Sequence, residues 1–304
     1  MKPLSCIAAI PLLLILLIAG SCKQEAVSLR FIPENNARYE LEYELSGVGT
    51  KESRPFNQTK RVVLDLTVKP DSGGTDIKAT YKRFQFSLVS PTDSSYTDTD
   101  HPIADSMAMR NPKLLAPWVW QGVNGLSFNF RIGSSGRIDT MDTFLPLLTN
   151  LAMKVLHQPD SSVTGNELYS QVWNTGSQQF SSASAKAMLQ AVFPEYPARE
   201  LKKGDTLGRT YQYYDRYPIT MVQVIKVAEV DEATVTFLIG GSGFTTATIE
   251  GDLKVEQQGK IIVDRSTGVL LSAYIENLVR GKEYTTSIDN KSVIRANCKK
   301  ILPR

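Results

Sequence analysis

Strict alternation of apolar and polar residues opens the body of the chain. In Tyr39-Glu40-Leu41-Glu42-Tyr43-Glu44-Leu45 every odd position is apolar and every even one is Glu, the period-two pattern of a strand with one dry and one wet face. A helix would spread those glutamates around its circumference. Val62, Leu64, Leu66 and Val68 repeat the pattern until Pro70-Asp71-Ser72-Gly73-Gly74, which reads as a hairpin turn. The returning strand carries Ile77, Ala79 and Tyr81 on one parity and Phe84, Phe86 and Leu88 on the other. A β-bulge is therefore expected at Lys82-Arg83, where one extra residue restores the facing and increases twist. Ser90 to Ala104 reads as a polar loop. Asp105 to Trp120, with two prolines and two tryptophans, reads as a packed irregular segment. Leu126, Phe128, Phe130 and Ile132 mark another strand, turned by Ser134-Ser135-Gly136 into Arg137-Ile138.

The period then changes. Phe144, Leu147, Leu148, Leu151 and Val155 recur at three and four, the apolar stripe of an amphipathic helix. Thr143 is its expected cap, with Pro146 tolerated in a first turn that has no donors to lose. Asn166 to Trp173 and Gln178 to Phe193 read as two further helices, the last stopped by Pro194. Strands resume after Lys203-Gly204-Asp205. Ala247, Ile249, Gly251, Leu253 and Val255 alternate with polar residues; Gly259 and Asp264-Arg265-Ser266-Thr267-Gly268 are expected to delimit the next short strand. Val269, Leu271, Ala273 and Ile275 continue the theme, and Tyr284, Thr286 and Ile288 begin the last pair. Phe128 to Asp139 and Leu253 to Asp264 share a strand, a glycine turn and an Ile before Asp. Duplication is one reading of that echo, and convergence of hairpin sequences the other.

Runs of strands on either side of a helical insert predict an α+β fold. The expectation is a large, curved, mainly antiparallel sheet of half-barrel form, with the central helices packed on its concave face, because a dry face requires a cover. Strands are assigned to 37–140, helices to 142–193 and strands to 205–298, within one domain over 37–304. The comparison with the half-barrels of periplasmic lipoprotein carriers is fold-level analogy.

The N-terminus changes the picture from architecture to address. Lys2 precedes an apolar core of 13 residues, Ile7 to Ala19, and Ala19-Gly20-Ser21 leads into Cys22. A helix needs about 20 apolar residues to span a bilayer, so this core reads as a signal peptide over residues 1–21. With Cys directly after the small residues, the segment resembles the lipobox of bacterial lipoproteins. That resemblance implies acylation of the Cys22 thiol, by chains such as palmitate, and cleavage before it. Ala19 departs from the pattern, where Leu is commoner. Two or more acyl chains anchor firmly, at about 0.8 kcal/mol per buried CH₂. No Asp follows Cys22, so the outer membrane is the expected location. Residues 22–36 read as a polar tether, and whether the protein faces the periplasm or the outside is open.

Of three cysteines, only Cys298 remains for the folded part, which excludes an intrachain disulfide there. The net charge of +3 falls to +2 without Lys2, too small to point to nucleic acid. His101 and His157 are the two histidines, and neither sits in a catalytic frame. HExxH, GxSxG, CxxC and GxxxxGK[ST] are all missing, so no catalytic residue, cofactor or metal ligand is assigned. Gly240-Gly241-Ser242-Gly243 precedes strand-like residues and reads as a flexible hairpin connection, since a phosphate loop would open a helix. Asp93, Asp98, Asp100 and Asp105 lack EF-hand spacing and read as a solvated loop. Trp118, Trp120 and Trp173 read as core. Among Tyr211, Tyr213, Tyr214 and Tyr217 at least one ring must face outward.

Several turns and strand ends carry a wider resemblance: Asp105-Ser106 before Gly122 to Phe130, Gly136-Arg137-Ile138, Phe193-Pro194-Glu195-Tyr196-Pro197, Lys203-Gly204-Asp205 and Asp264 to Gly268. With the lipobox, they make the chain similar to an uncharacterised family of Gram-negative envelope lipoproteins, a domain of unknown function. Ala104 departs from a commoner Tyr. These motifs carry no chemistry, so the resemblance implies architecture alone. The leading expectation is a non-enzymatic envelope lipoprotein that binds a ligand or a partner protein. A carrier or sensor for an apolar molecule between sheet and helices is the second. A carboxylate-dependent hydrolase of envelope material is the third.

Overall fold

The computed structural model describes residues 25–51, 54–92, 94–108, 110–157, 167–214, 218–245, 251–283 and 286–302. Cys22 and the signal segment lie outside them. Twelve strands form one open antiparallel sheet, curved but not closed into a barrel. Its order is β7 (Ile138–Met141), β6 (Ser127–Gly133), β4 (Gly74–Val89), β3 (Arg54–Asp71), β2 (Arg38–Lys51), β14 (Thr286–Ile301), β13 (Leu270–Glu283), β12 (Gly251–Asp264), β11 (Thr234–Thr245), β10 (Pro218–Val230) and β9 (Thr206–Tyr214). β5 (Ser94–Asp98) pairs beside β4. The two strand runs meet where β14 pairs with β2, Ile301 opposite Arg38 and Asp289 opposite Thr50. A separate pair joins β1 (Ala26–Val27) to β8 (Leu201–Lys202).

The alternation sets the faces. Leu41, Val62, Leu64, Leu66 and Ile77 are buried beneath five helices, α1 (Asp105–Ala108), α2 (Pro112–Gln121), α3 (Leu145–Val155), α4 (Glu167–Ser177) and α5 (Ser182–Val192). The expected bulge is present: Val63 pairs with Arg83 and Leu64 with Tyr81, leaving Lys82 as the extra residue. α5 packs against both β7 and β9, the two ends of the sheet path. The helix thus covers two edges that would otherwise present unpaired backbone groups.

The structure corrects several expectations. Ser94–Asp98, within the expected polar loop, is an edge strand. Asp105 to Trp120 is two helices, because Asn111 caps α2 through Lys113 N at 3.1 Å and Pro112 stands in the first turn, where no donor is lost. Phe144, not Thr143, occupies the cap position of α3, without a side-chain bond. Gly240 to Gly243 lies inside β11, and Gly259 inside an unbroken β12. The echo between Phe128–Asp139 and Leu253–Asp264 therefore equates a real turn with mid-strand residues.

Residues 26–36, expected as tether, are docked: Val27, Leu29 and Phe31 are buried, Phe31 N donates to Ser134 O at 2.8 Å and Ile32 N to Thr267 O at 2.8 Å. Three of the turns that carried the wider resemblance, at Gly136, 193–197 and 264–268, meet at this end. Tyr196 N donates to Ser135 O at 2.6 Å, and its hydroxyl to Gly268 O at 2.7 Å. Gly136 has φ +81°, and a Cβ there would stand 2.3 Å from Pro194 O. Only glycine fits both the conformation and the approach.

Candidate functional site

On the concave wall, strand register places Arg209, Gln223, Gly241, Gln257, Asn277, Ser292, Gly47 and Gln58 side by side in one row, running from β9 to β3. The neighbouring row toward the helices is mostly apolar, with Ile225, Ile239, Ile275 and Ile294 in the main core. The row on the other side carries Tyr211, Met221, Val255 and Val279, which belong to a second apolar cluster. A polar belt thus divides two hydrophobic regions of one face.

Gln223 and Asn277 are 0% and 1% exposed, so their amides need internal partners. Gln223 Nε2 donates to Gln257 Oε1 at 2.5 Å, and Gln257 Nε2 donates to Asn277 Oδ1 at 2.8 Å and to the Tyr211 hydroxyl at 3.1 Å. Asn277 Nδ2 reaches Ser292 Oγ at 3.5 Å. At the β9 end Arg209 Nε donates to Gln223 Oε1 at 2.5 Å, its Nη1 to Phe193 O at 3.0 Å, and the guanidinium stands 5.0 Å from the centroid of the Tyr211 ring. Burial lowers the pKa of Arg209 and raises that of Tyr211. Two buried polar atoms on this wall have no partner, Arg209 Nη2 and Asn290 Oδ1.

A second cation, Lys60, faces the concave side on β3, one row nearer the helices, opposite Leu45 and Phe86. It lines a void of about 10 Å³ with Gln179, Ser181 and Ser184, and its ammonium stands 5.7 Å from the centroid of Phe84. Desolvation lowers its pKa to about 8. A void of that size holds about one water, so sheet and α5 are closely packed there.

The residues singled out from sequence are placed elsewhere. Trp118 and Trp120 are core residues, with Trp120 Nε1 donating to Thr175 O at 3.1 Å, and Trp173 packs against the core. Asp98 and Asp100 share Arg83, whereas Asp105 binds elsewhere. Asp98 is buried and binds Arg83 at 2.7 Å, Asp100 binds Arg83 at 3.0 Å, and Asp105 accepts from Trp118 Nε1 at 2.8 Å and contacts His157 Nε2 at 2.8 Å. The hydrogen bonds from His157 and Trp118 lower the pKa of Asp105 and tie α1 to α2 and to the end of α3. His101 contacts Asp98 at 3.4 Å. Asp93 and Tyr217, like Cys22, lie outside the described residues, and the side chains of Tyr213 and Tyr214 are not described. Tyr211 is buried in the second apolar cluster, with its hydroxyl bound to Gln257 of the polar row. Cys298 is packed, and burial pushes its thiol up to about 12. Among the described residues no cluster of three His, Cys, Asp or Glu side chains could hold a metal ion.

Gln223, Gln257, Asn277 and Arg209 drew no notice in the sequence. Their signal was there: each interrupts a dry parity, as in Ile219-Met221-Gln223-Ile225 or Leu253-Val255-Gln257, where a polar residue stands among apolar ones at period two.

A search of the curated proteins finds no match. Among solved structures the chain is similar to lipovitellin, described for its lipid–protein interactions, at 8% identity and TM-score 0.47, over 89% of this chain and 26% of that one. The chain thus spans about a quarter of that relative's length. It is also similar to an outer membrane channel from Pseudomonas putida F1, at 6% identity and TM-score 0.28 over 88% and 97% of the two chains. The beta domain of the Bordetella autotransporter BrkA gives 5% identity and TM-score 0.35 over 87% and 99%. These scores are all below 0.5, and the fold rests on the strand registers instead. The model of a family of unknown function, DUF6263, matches residues 72–270, a stretch that holds the five described helices and Arg209, Gln223 and Gln257. The chain belongs to the DUF6263 family of unknown function.

Proposed function

We propose that this is a lipid-anchored protein of the cell envelope, acylated at Cys22 on the outer membrane, that binds a small ligand on its concave wall without transforming it. The hydrogen-bonded row Gln223–Gln257–Asn277 carries the reading. A core that needed only stability would put apolar residues there, since each buried amide must be fully partnered to break even. Binding sites, in contrast, combine an apolar lining with a few placed polar groups that orient the ligand. The sheet and α5 are closely packed around Lys60, so the expected ligand does not lie under that helix. Asp98, the one carboxylate among the described buried residues, lies on β5 and is bound to Arg83.

Native mass spectrometry of the full chain, gently extracted from the envelope, tests the binding role. A reproducible added mass released on denaturation is expected, and bare protein in every preparation would overturn it. Labelled palmitate entering the wild type but not Cys22→Ser tests the anchor, and equal labelling of both would remove it.

A further inference from the structure

Residues 26–36 cross one end of the sheet as an extended strap. Pairing of Ala26 with Lys202 fixes its start beside β8, the bonds from Phe31 N to Ser134 O and from Ile32 N to Thr267 O hold its middle, and β2 follows at Arg38. The hairpin turns at 71–74, 133–138 and 264–270 lie at this same end of the antiparallel strands. Along the strap the side chains alternate. Val27, Leu29, Phe31 and Pro33 are buried, whereas Ser28, Arg30, Ile32 and Glu34 face outward, with Ile32 51% exposed. Glu34 is paired with Lys300, which neutralises the one acid of that outer row. Lys202 and Lys203 are exposed beside the start of the strap.

Docking limits how far the body can stand from residue 22. Cys22 precedes Ala26 by four residues, a reach of about 14 Å however the chain runs. Were the chain free as far as Arg38, the reach would be about 55 Å. The far end of the sheet lies well outside the shorter limit, since the 16 residues of β4 alone extend for roughly 50 Å.

Resting on acylation of Cys22, we propose that the strap end of the sheet is seated directly on the lipid surface. Ser28, Arg30 and Ile32, together with Lys202 and Lys203, form the contact. Ile32 enters the boundary between headgroups and acyl chains, and the three cations lay their aliphatic stems along it with their charged heads among the phosphates. In the competing arrangement the strap only closes the end of the sheet, and the body stands clear of the bilayer or lies along it on its side.

The full acylated chain in vesicles of phosphatidylethanolamine and phosphatidylglycerol separates these arrangements. A fluorophore on one added cysteine is read against quenching by lipid that carries a spin label on its headgroup. Cys298 stays unlabelled, because it is buried and its thiol is pushed up to about 12. Ser28→Cys and Lys203→Cys are expected to lose most of their emission, and Val89→Cys, exposed at the far end of β4, to keep it. Equal quenching at the three positions, or none at Ser28 and Lys203 on vesicle-bound protein, would overturn the seating and leave the anchor intact. Palmitate labelling in parallel reads the anchor by itself: a chain that takes up no palmitate and does not bind vesicles would overturn both. The wild type gives a measurement that needs no variant. Vesicles should slow acetylation of Lys203 relative to Lys282, exposed near the far end of β13, and equal slowing would overturn the seating.

Discussion

Gln223 on β10 donates its side-chain amide to Gln257 on β12 across the intervening strand, passing over Gly241 of β11. Neighbouring strands lie about 4.8 Å apart, so the two side chains span two strand spacings and need the strand between them to be bare. A Cβ at Gly241 would stand 3.5 Å from Gln257 Oε1 and 3.1 Å from Val222 O. The glycines of β11 make room for a polar connection.

A branched side chain at Gly241 should cut the row in two. Gly241→Val is expected to cost about 1–3 kcal/mol, the price of buried amide groups left unpaired. Urea denaturation monitored by circular dichroism would show it as a lower midpoint with unchanged slope. A variant as stable as the wild type would mean that Gln223 and Gln257 do not depend on each other.

Gln257 is the hub of the network, so its loss should exceed the loss of any one bond. Gln257→Leu strands Gln223 Nε2 and Asn277 Oδ1, for an expected cost of about 2–4 kcal/mol. Adding Asn277→Leu removes the stranded acceptor. The double variant should therefore be more stable than the two single costs predict, by about 1 kcal/mol or more. Additive costs would contradict the connected row.

Asp98 provides a pH signature. Burial pushes its carboxyl up, but the hydrogen bonds from Arg83 and from the Asp100 backbone, together with the Arg83 charge, outweigh it and hold the pKa at about 2, against an ordinary 3.8. A carboxyl depressed by folding stabilises the protein above its ordinary value, and that stabilisation fades as pH falls from about 4 toward 2. The side chain is 1% exposed, so the effect is on the order of 2 kcal/mol. Asp98→Asn should then differ from the wild type by about that amount at pH 6 and much less at pH 2, read from unfolding midpoints. An equal difference at both values would rule the ion pair out as the cause.

The concave site was only half legible in the chain. Tyr211 stood out as one of a run of tyrosines, whereas Gln223, Gln257 and Asn277 each looked like one ordinary polar residue in a strand. They lie 34 and 20 residues apart, and nothing local announces that register will bring them together. Gly240 to Gly243 misled for a related reason. Glycine-rich stretches usually bend or turn, and here the partners on either side need the space. Asp105 to Trp120 reads as irregular because prolines suggest irregular chain, although Pro112 sits where a helix accepts one.

The amino-acid sequence by itself determined the strands, their dry parity, the Lys82 bulge and the helical insert, because side-chain direction in a strand or helix depends only on near neighbours and repeats with a short period. The tertiary structure alone decided which residues share a row, which glycine lies between two glutamines, that α5 packs on both edges of the open sheet, and that Arg209 keeps a buried nitrogen unpaired. Those outcomes depend on pairing between strands distant in the chain, and long-range register is set by the whole sheet at once.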